Sequence, residues 1–173
     1  NYAFYNFKNL TTVDIPNATT IGDHAFCYCS NLTTAYFPNV TTLTGYWHFY
    51  SCSNLTTAYF PKLTGSATYA MFQGCSNLTT VEIGGKVKFV SDVFKNCPKL
   101  TTLILRSTTF CEAGAIINLS GDYWIYIPSS LMSQYTSKSY WKNHASHFRI
   151  LEEWTVDGTI TGELDWDKIN AAA

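Results

Sequence analysis

One phrase recurs along this chain at a nearly fixed interval: Phe7-Lys8-Asn9-Leu10-Thr11-Thr12, Cys29-Ser30-Asn31-Leu32-Thr33-Thr34, Cys52-Ser53-Asn54-Leu55-Thr56-Thr57, Cys75-Ser76-Asn77-Leu78-Thr79-Thr80 and Cys97-Pro98-Lys99-Leu100-Thr101-Thr102. The period is about 22 to 23 residues, which restricts the fold to an array of stacked units. Six residues before each leucine stands a phenylalanine (Phe4, Phe26, Phe49, Phe72, Phe94). After each leucine comes an alternating apolar pair: Val13/Ile15, Ala35/Phe37, Ala58/Phe60, Val81/Ile83 and Leu103/Leu105. Alternation with a period of two predicts a short strand. Pro16, Pro38, Pro61 and Gly84 stop it, because proline cannot extend a ladder and glycine weakens one.

A weaker apolar position at Ile21, Leu43 and Val90 marks a crossing segment before the next phenylalanine, which sits on a short helical turn. Each unit is thus one coil of a β-rich solenoid with parallel strands. A single coil buries too few apolar side chains to offset its backbone entropy, and stacking makes the core continuous. Moving the frame on from Leu103/Leu105 reaches Ile125/Ile127 and Pro128, with Asp122 in the leucine column and Ile116 in the phenylalanine column. This predicts a degenerate sixth coil that ends the stack. The chain opens inside a repeat, at Asn1-Tyr2-Ala3-Phe4, so further coils or a covering partner are expected at that end.

The pattern Ala/Val/Met-Phe-x-x-Cys-x-x-Leu-x-x-apolar-x-apolar-Pro resembles the BspA-type leucine-rich repeat, also called the Treponema pallidum type, over residues 1–128. The resemblance implies a bacterial cell-surface or secreted protein that uses its exposed β face for adhesion and protein–protein contact. The partner it implies is a protein or glycan on a host or microbial surface. Two alternatives stand beside this: a phage or prophage tail component that binds a receptor, and a glycan-binding module.

After Pro128 the period stops. Residues 129–151 read as a helical C-terminal cap, with Leu131, Tyr135, Trp141, Ala145, Phe148 and Leu151 facing inward and serines available as N-caps. The run Tyr126-Ile127-Pro128-Ser129-Ser130-Leu131 resembles the cap of such arrays in gut-bacterial surface proteins and prophage proteins. Residues 152–173 form an acidic tail or linker, with a hairpin signal at Val156-Asp157-Gly158. That tail is expected to fold back toward Lys138, Lys142 and Arg149 of the cap.

Composition removes several functions. Of the 173 residues, 46% are hydrophobic and only 13% charged, so disorder is excluded for most of the chain. A net charge of -1 without a basic run excludes the footprint of a nucleic-acid binder. No apolar stretch is long enough for membrane insertion in this segment.

Four of the six cysteines, Cys29, Cys52, Cys75 and Cys97, share one column that Phe7 also occupies, and the remaining two are Cys27 and Cys111. Neighbouring coils would hold parallel Cβ atoms ~4.8 Å apart, longer than the ~3.8 Å a disulfide prefers, so a ladder of buried free thiols is expected. His24, Cys27 and Cys29 are potential ligands whose spacing fits no usual zinc pair, and no metal is expected. His48, His144 and His147 read as surface or cap hydrogen-bonders. No nucleophile–base pair has a supporting motif, so neither enzymatic activity nor a cofactor is expected. The Asn-x-Ser/Thr sequons at Asn9, Asn17, Asn31, Asn39, Asn54, Asn77 and Asn118 read as by-products of a repeat that needs Asn at the turn and Thr in the strand.

Strand alternation leaves two outward ladders. Thr12, Thr34, Thr57, Thr80 and Thr102 make a regular β surface. The other ladder runs Asp14, Tyr36, Tyr59, Glu82 and Ile104, with stacked tyrosines that suit a binding patch. The loop with Tyr46, Trp47 and Tyr50 is expected to widen it. The candidate ligand-binding residues are therefore Tyr36, Tyr59, Tyr46, Trp47, Asp14 and Glu82.

Overall fold

A computed structural model describes residues 1–113 and 118–151. Ile116 and the acidic segment 152–173, with its hairpin signal, lie outside the described residues. Eleven strands are present in the described chain: β1 (Thr20–Ile21), β2 (Thr34–Tyr36), β3 (Thr42–Leu43), β4 (Thr57–Phe60), β5 (Gly65–Ala67), β6 (Thr80–Ile83), β7 (Val87–Phe89), β8 (Thr102–Leu105), β9 (Glu112–Ala113), β10 (Trp124–Ile127) and β11 (Phe148–Ile150). The main sheet has the order β11-β10-β8-β6-β4-β2 and is parallel throughout. Its register follows the repeat: Ala35 pairs with Ala58, Ala58 with Val81, Val81 with Leu103 and Leu103 with Ile125. The sixth coil is therefore real, and Ile125 and Ile127 are fully buried. In the first coil the strand shrinks to a single bridge between Thr12 and Thr34.

Crossing segments pair as well. β1 joins β3, and β5-β7-β9 form a third parallel sheet, a feature that two- and three-residue strands do not reveal by alternation. In β7 the core places go to Val87 and Phe89, while Val90 is half-buried just beyond the strand. Val40 and Leu63, two residues after Pro38 and Pro61, add a further buried column. Gly84 replaces the strand-ending proline because a Cβ there would lie 1.9 Å from the Pro61 carbonyl oxygen, and its N–H donates to Phe60 O (3.0 Å).

The core is a column of aromatic rings. Phe4 stacks on Phe26 at 5.2 Å, Phe26 on Phe49 at 5.2 Å, Phe49 on Phe72 at 5.5 Å and Phe72 on Phe94 at 6.0 Å. All six cysteines are free and buried. Each member of the cysteine column donates its S–H to a phenylalanine carbonyl two columns away: Cys29 to Phe4, Cys52 to Phe26, Cys75 to Phe49 and Cys97 to Phe72, at 3.0–3.1 Å.

The Thr-Thr pairs divide their work. The first threonine bonds to the coil before it, as Thr33 Oγ1 to Thr11 O (3.1 Å), Thr56 to Thr33 (2.9 Å) and Thr79 to Thr56 (3.0 Å). Asparagine forms its own ladder through Asn54 Nδ2 to Asn31 Oδ1 (3.2 Å) and Asn77 Nδ2 to Asn54 Oδ1 (3.3 Å).

The third side of each coil is a run of β-turns rather than a helical turn. Two positions per coil take left-handed torsions: Tyr2, His24, Trp47, Ala70 and Asp92 before each phenylalanine, and Asn6, Tyr28, Ser51, Gly74 and Asn96 after it, with φ between 52° and 80°. This zigzag sends alternate N–H groups along the solenoid. Phe26 N–H donates to His48 O (2.9 Å) and Tyr28 N–H to Tyr50 O (2.8 Å), while Cys27 N–H closes a turn on His24 O (3.2 Å). A continuous helix would spend every N–H inside its own coil, and the stack would lose these inter-coil bonds.

The cap differs from a purely helical reading. A 3₁₀ turn at Ser129–Leu131 leads into α1 (Met132–Ser137), then a 3₁₀ segment at Ser139–His147, and β11 adds a final strand to the main sheet. Leu131, Tyr135, Trp141, Phe148 and Leu151 are buried as expected, whereas Ala145 is exposed. With three residues per turn, Trp141, His144 and His147 share one side and Ala145 does not. Pro128 and Lys138 occupy the N-caps of the two 3₁₀ segments, and no side chain caps either of them or α1. Tertiary bonds anchor the cap instead: Trp141 Nε1 donates to Cys111 O (2.7 Å) and Cys111 N–H to Tyr135 Oη (3.0 Å).

Candidate functional site

The structure separates the six sequence-derived residues into three groups. Tyr36 and Tyr59 pair in register on β2 and β4, their rings stacked at 5.0 Å and 5° apart in plane. Tyr36 is 40% exposed, Tyr59 is half-buried, and Asp14 is exposed one coil earlier in the same column. Glu82 corrects the ladder: it follows Tyr59 in register but is buried, with its Oε1 accepting from Arg106 Nε. Burial pushes its carboxyl up, although Arg106 opposes the shift. Ile104, next in the column, is buried against Leu151 and Tyr126, and Thr80 is buried too. Alternation gives the side of the strand, not what lies over it: the column that holds Tyr36 and Tyr59 is covered at Glu82 and Ile104.

Tyr46 and Trp47 belong to the turn side. Trp47 contacts His24 edge-on (4.9 Å, 83°), Tyr50 (5.9 Å) and Tyr69 (6.3 Å). Tyr46 meets Tyr69 edge-on (6.5 Å, 81°), Tyr28 meets Tyr5 (5.8 Å, 90°) and Tyr50 (5.5 Å, 81°), and Tyr2 stacks on His24 (4.6 Å). A cavity of about 180 Å³ opens among Tyr5, His24, Cys27, Tyr28, Trp47 and Tyr50. Asp23 fixes this loop by accepting the Tyr46 N–H (2.6 Å) and lying 2.9 Å from His24 Nδ1. Burial raises its carboxyl pKa, but the Tyr46 N–H and His24 outweigh that and hold it below the ordinary carboxylate range. The approach requires Gly45, at φ 82°, since a Cβ would lie 2.3 Å from Asp23 Oδ1.

Sequence reasoning placed Tyr46 and Trp47 beside the strand tyrosines and missed Tyr5, Tyr28 and His24. The signal was available in the columns flanking each phenylalanine. There coils one to three carry Tyr2, Tyr5, His24, Tyr28, Trp47 and Tyr50, while coils four and five carry Ala70, Gln73, Gly74, Asp92, Lys95 and Asn96.

His48 is also not a surface residue. It occupies the core column of Ala25, Met71 and Val93, fully buried, with Nε2 donating to Thr44 O (3.0 Å) and Nδ1 accepting from Thr68 Oγ1 (2.8 Å). His144 and His147 pack against Tyr123 in the cap. Among the described residues no group of three His, Cys, Asp or Glu side chains is arranged to hold a metal.

The repeat geometry has a counterpart among known families: the BspA type leucine rich repeat region matches residues 1–118 in six copies. The chain belongs to the BspA-type leucine-rich repeat family. Comparison with curated proteins gives no match. BspA-type repeats are protein-interaction modules, typically non-catalytic, and the family is generally found on bacterial surfaces or secreted. Within the described part of this BspA-type chain, no helix is long and apolar enough to cross a membrane.

Proposed function

We propose that this chain is a non-catalytic adhesion module of a bacterial cell-surface or secreted protein, holding a partner macromolecule against the exposed surface of its first three coils. One observation carries the reading: the large exposed aromatics are concentrated in coils one to three, where the repeat does not require them. Tyr36 is 40% exposed, Tyr46 58% and Trp47 38%; the Trp47 column continues as Ala70 and Asp92 and the Tyr36 column, past Tyr59, as the buried Glu82 and Ile104, while exposed Tyr69 follows Tyr46 and packs against it. Aromatic patches of this kind give interfaces area and hydrogen bonding at small entropic cost. Tyr36, Tyr59 and Asp14 form the strand-side part of the surface and Tyr46 and Trp47 the turn-side part. Glu82 takes no part because it is buried and committed to Arg106.

The test starts from a partner captured from host or microbial surface extracts. Truncating central interface aromatics costs ~2 kcal/mol or more, so Tyr36→Ser with Tyr59→Ser should weaken binding at least ~10-fold while the unfolding midpoint stays nearly intact. Unchanged affinity, with loss instead on altering residues 129–151, removes the strand face from the interface. A glycan partner is the second reading, favoured by the parallel stacked rings of Tyr36 and Tyr59, and saccharide titrations against the same variant test it.

A further inference from the structure

The Tyr5–Tyr28–Trp47–Tyr50 cavity differs in kind from the strand platform. Its rings meet at 90° and 81° along Tyr5–Tyr28–Tyr50 and at 83° between His24 and Trp47. They stand as walls around a volume, whereas Tyr36 and Tyr59 lie parallel. At about 180 Å³ the volume is well below the ~300–1,000 Å³ typical of drug-sized ligands, and suits one compact group.

From this arrangement we propose that the cavity is an aromatic cage for a trimethylammonium group, the chemistry shared by choline head groups and trimethylated lysine. Aromatic faces carry the negative part of the ring quadrupole and attract cations, and caging of quaternary ammonium by several rings is the recurrent use of that attraction. Among the described residues no lysine or arginine stands over these rings: the cation–ring contacts are Lys138 over Phe110 and Arg149 over Trp124, both in the C-terminal part. The Asp23 carboxylate lies beside the cage, 2.9 Å from His24 Nδ1. At the floor, burial pushes the Cys27 thiol up to about 12, so it stays neutral and adds no competing charge chemistry.

Backbone torsions supply an independent argument. Tyr28 and Trp47 sit at φ 62° and 53°, in the left-handed region that disfavours bulky side chains, and His24, of a type that enters this region more readily, at 54°. The same turns form in coils four and five with Ala70, Gly74, Asp92 and Asn96 at those positions. At three of those four positions the fold uses Gly, Asp or Asn, which take this torsion at lower cost, and strain that the fold does not need at Tyr28 and Trp47 points to a role for their side chains. The cage shares Trp47 with the surface proposed above but stands without it.

The whole chain is titrated with choline by NMR. The expected result is a saturable shift of the Trp47 indole N–H and the Tyr28 amide, with upfield movement of the choline methyl signal. The uncharged isostere 3,3-dimethylbutanol should bind at least ~10-fold more weakly, because shape is kept and charge removed. Tyr50→Leu keeps apolar bulk without a ring, and Tyr28→Asn suits the left-handed torsion. Each should weaken choline at least ~5-fold, whereas Tyr36→Ser with Tyr59→Ser should leave it unchanged. The relative affinity of phosphocholine and Nε-trimethyl-lysine identifies the source of the group. Equal binding of dimethylbutanol by the unaltered protein overturns the cage even if the variants fail to fold. So does unchanged choline affinity in both cage variants, or no saturable shift at all.

Discussion

Cys52 Sγ lies 3.1 Å from the carbonyl oxygen of Phe26 in the coil before it, and Cys75 stands in the same relation to Phe49. The cysteine column therefore does more than fill space. Each thiol supplies the donor for a buried carbonyl at the turn, with a side chain small enough for the stack. Serine would bring a more polar hydroxyl into an apolar slot, and alanine would bring no donor.

Native thiols should resist alkylation. Burial pushes Cys29 up to about 11 and Cys27 and Cys97 up to about 12, and the thiolate is the reactive form. Titration of the native protein should find few reactive groups, rising to six after denaturation. Cys52→Ala should cost roughly 1–3 kcal/mol through the lost donor and the cavity it leaves. Disulfides between successive coils, or native thiols that react as fast as denatured ones, would contradict the ladder.

Central coils test the register. Leu55 is fully buried, and Leu55→Ala should destabilise by ~2–5 kcal/mol. Thr57, two residues on, is half-buried on the opposite side of β4, and Thr57→Ala should cost under ~1 kcal/mol. Equal shifts of the denaturation midpoint for the two variants would show that the strand faces are misassigned.

His48 makes stability depend on pH. Burial holds its imidazole below the ordinary value of 6.5, although its bond to Thr44 works the other way, and burial acts in the same direction on His144. An unfolded histidine takes up its proton near pH 6.5, before the native side chains do. Below that pH the unfolded state binds more protons, so the full stability is present above it and is lost on acidification. The unfolding midpoint should fall between about pH 7.5 and 5.5. His48→Met with Thr68→Val places an apolar pair in the column, as Met71 already does in the next coil, and should flatten that slope. An unchanged slope would assign the effect to other groups.

Repetition explains how much of this protein its sequence determined by itself. Parallel register, the phenylalanine column and the buried thiols follow from local rules restated every coil: an alternating pair chooses a face, and proline or glycine ends the strand. Ile125 and Ile127 were legible for the same reason, even with Asp122 in the leucine column. Residues outside that rule needed the tertiary structure. Glu82 and Ile104 stand on the outward side of their strands yet are buried, Ile104 beneath Leu151 and Tyr126. Ala145 faces solvent because the cap turns as a 3₁₀ segment rather than an α-helix. His24, Tyr28 and Trp47 meet around one cavity because inter-coil hydrogen bonding forces left-handed torsions that bring side chains from successive coils together. A periodic sequence specifies each coil against its neighbours; what lies over a face, and which side chains converge across coils, is decided only when the whole stack is closed.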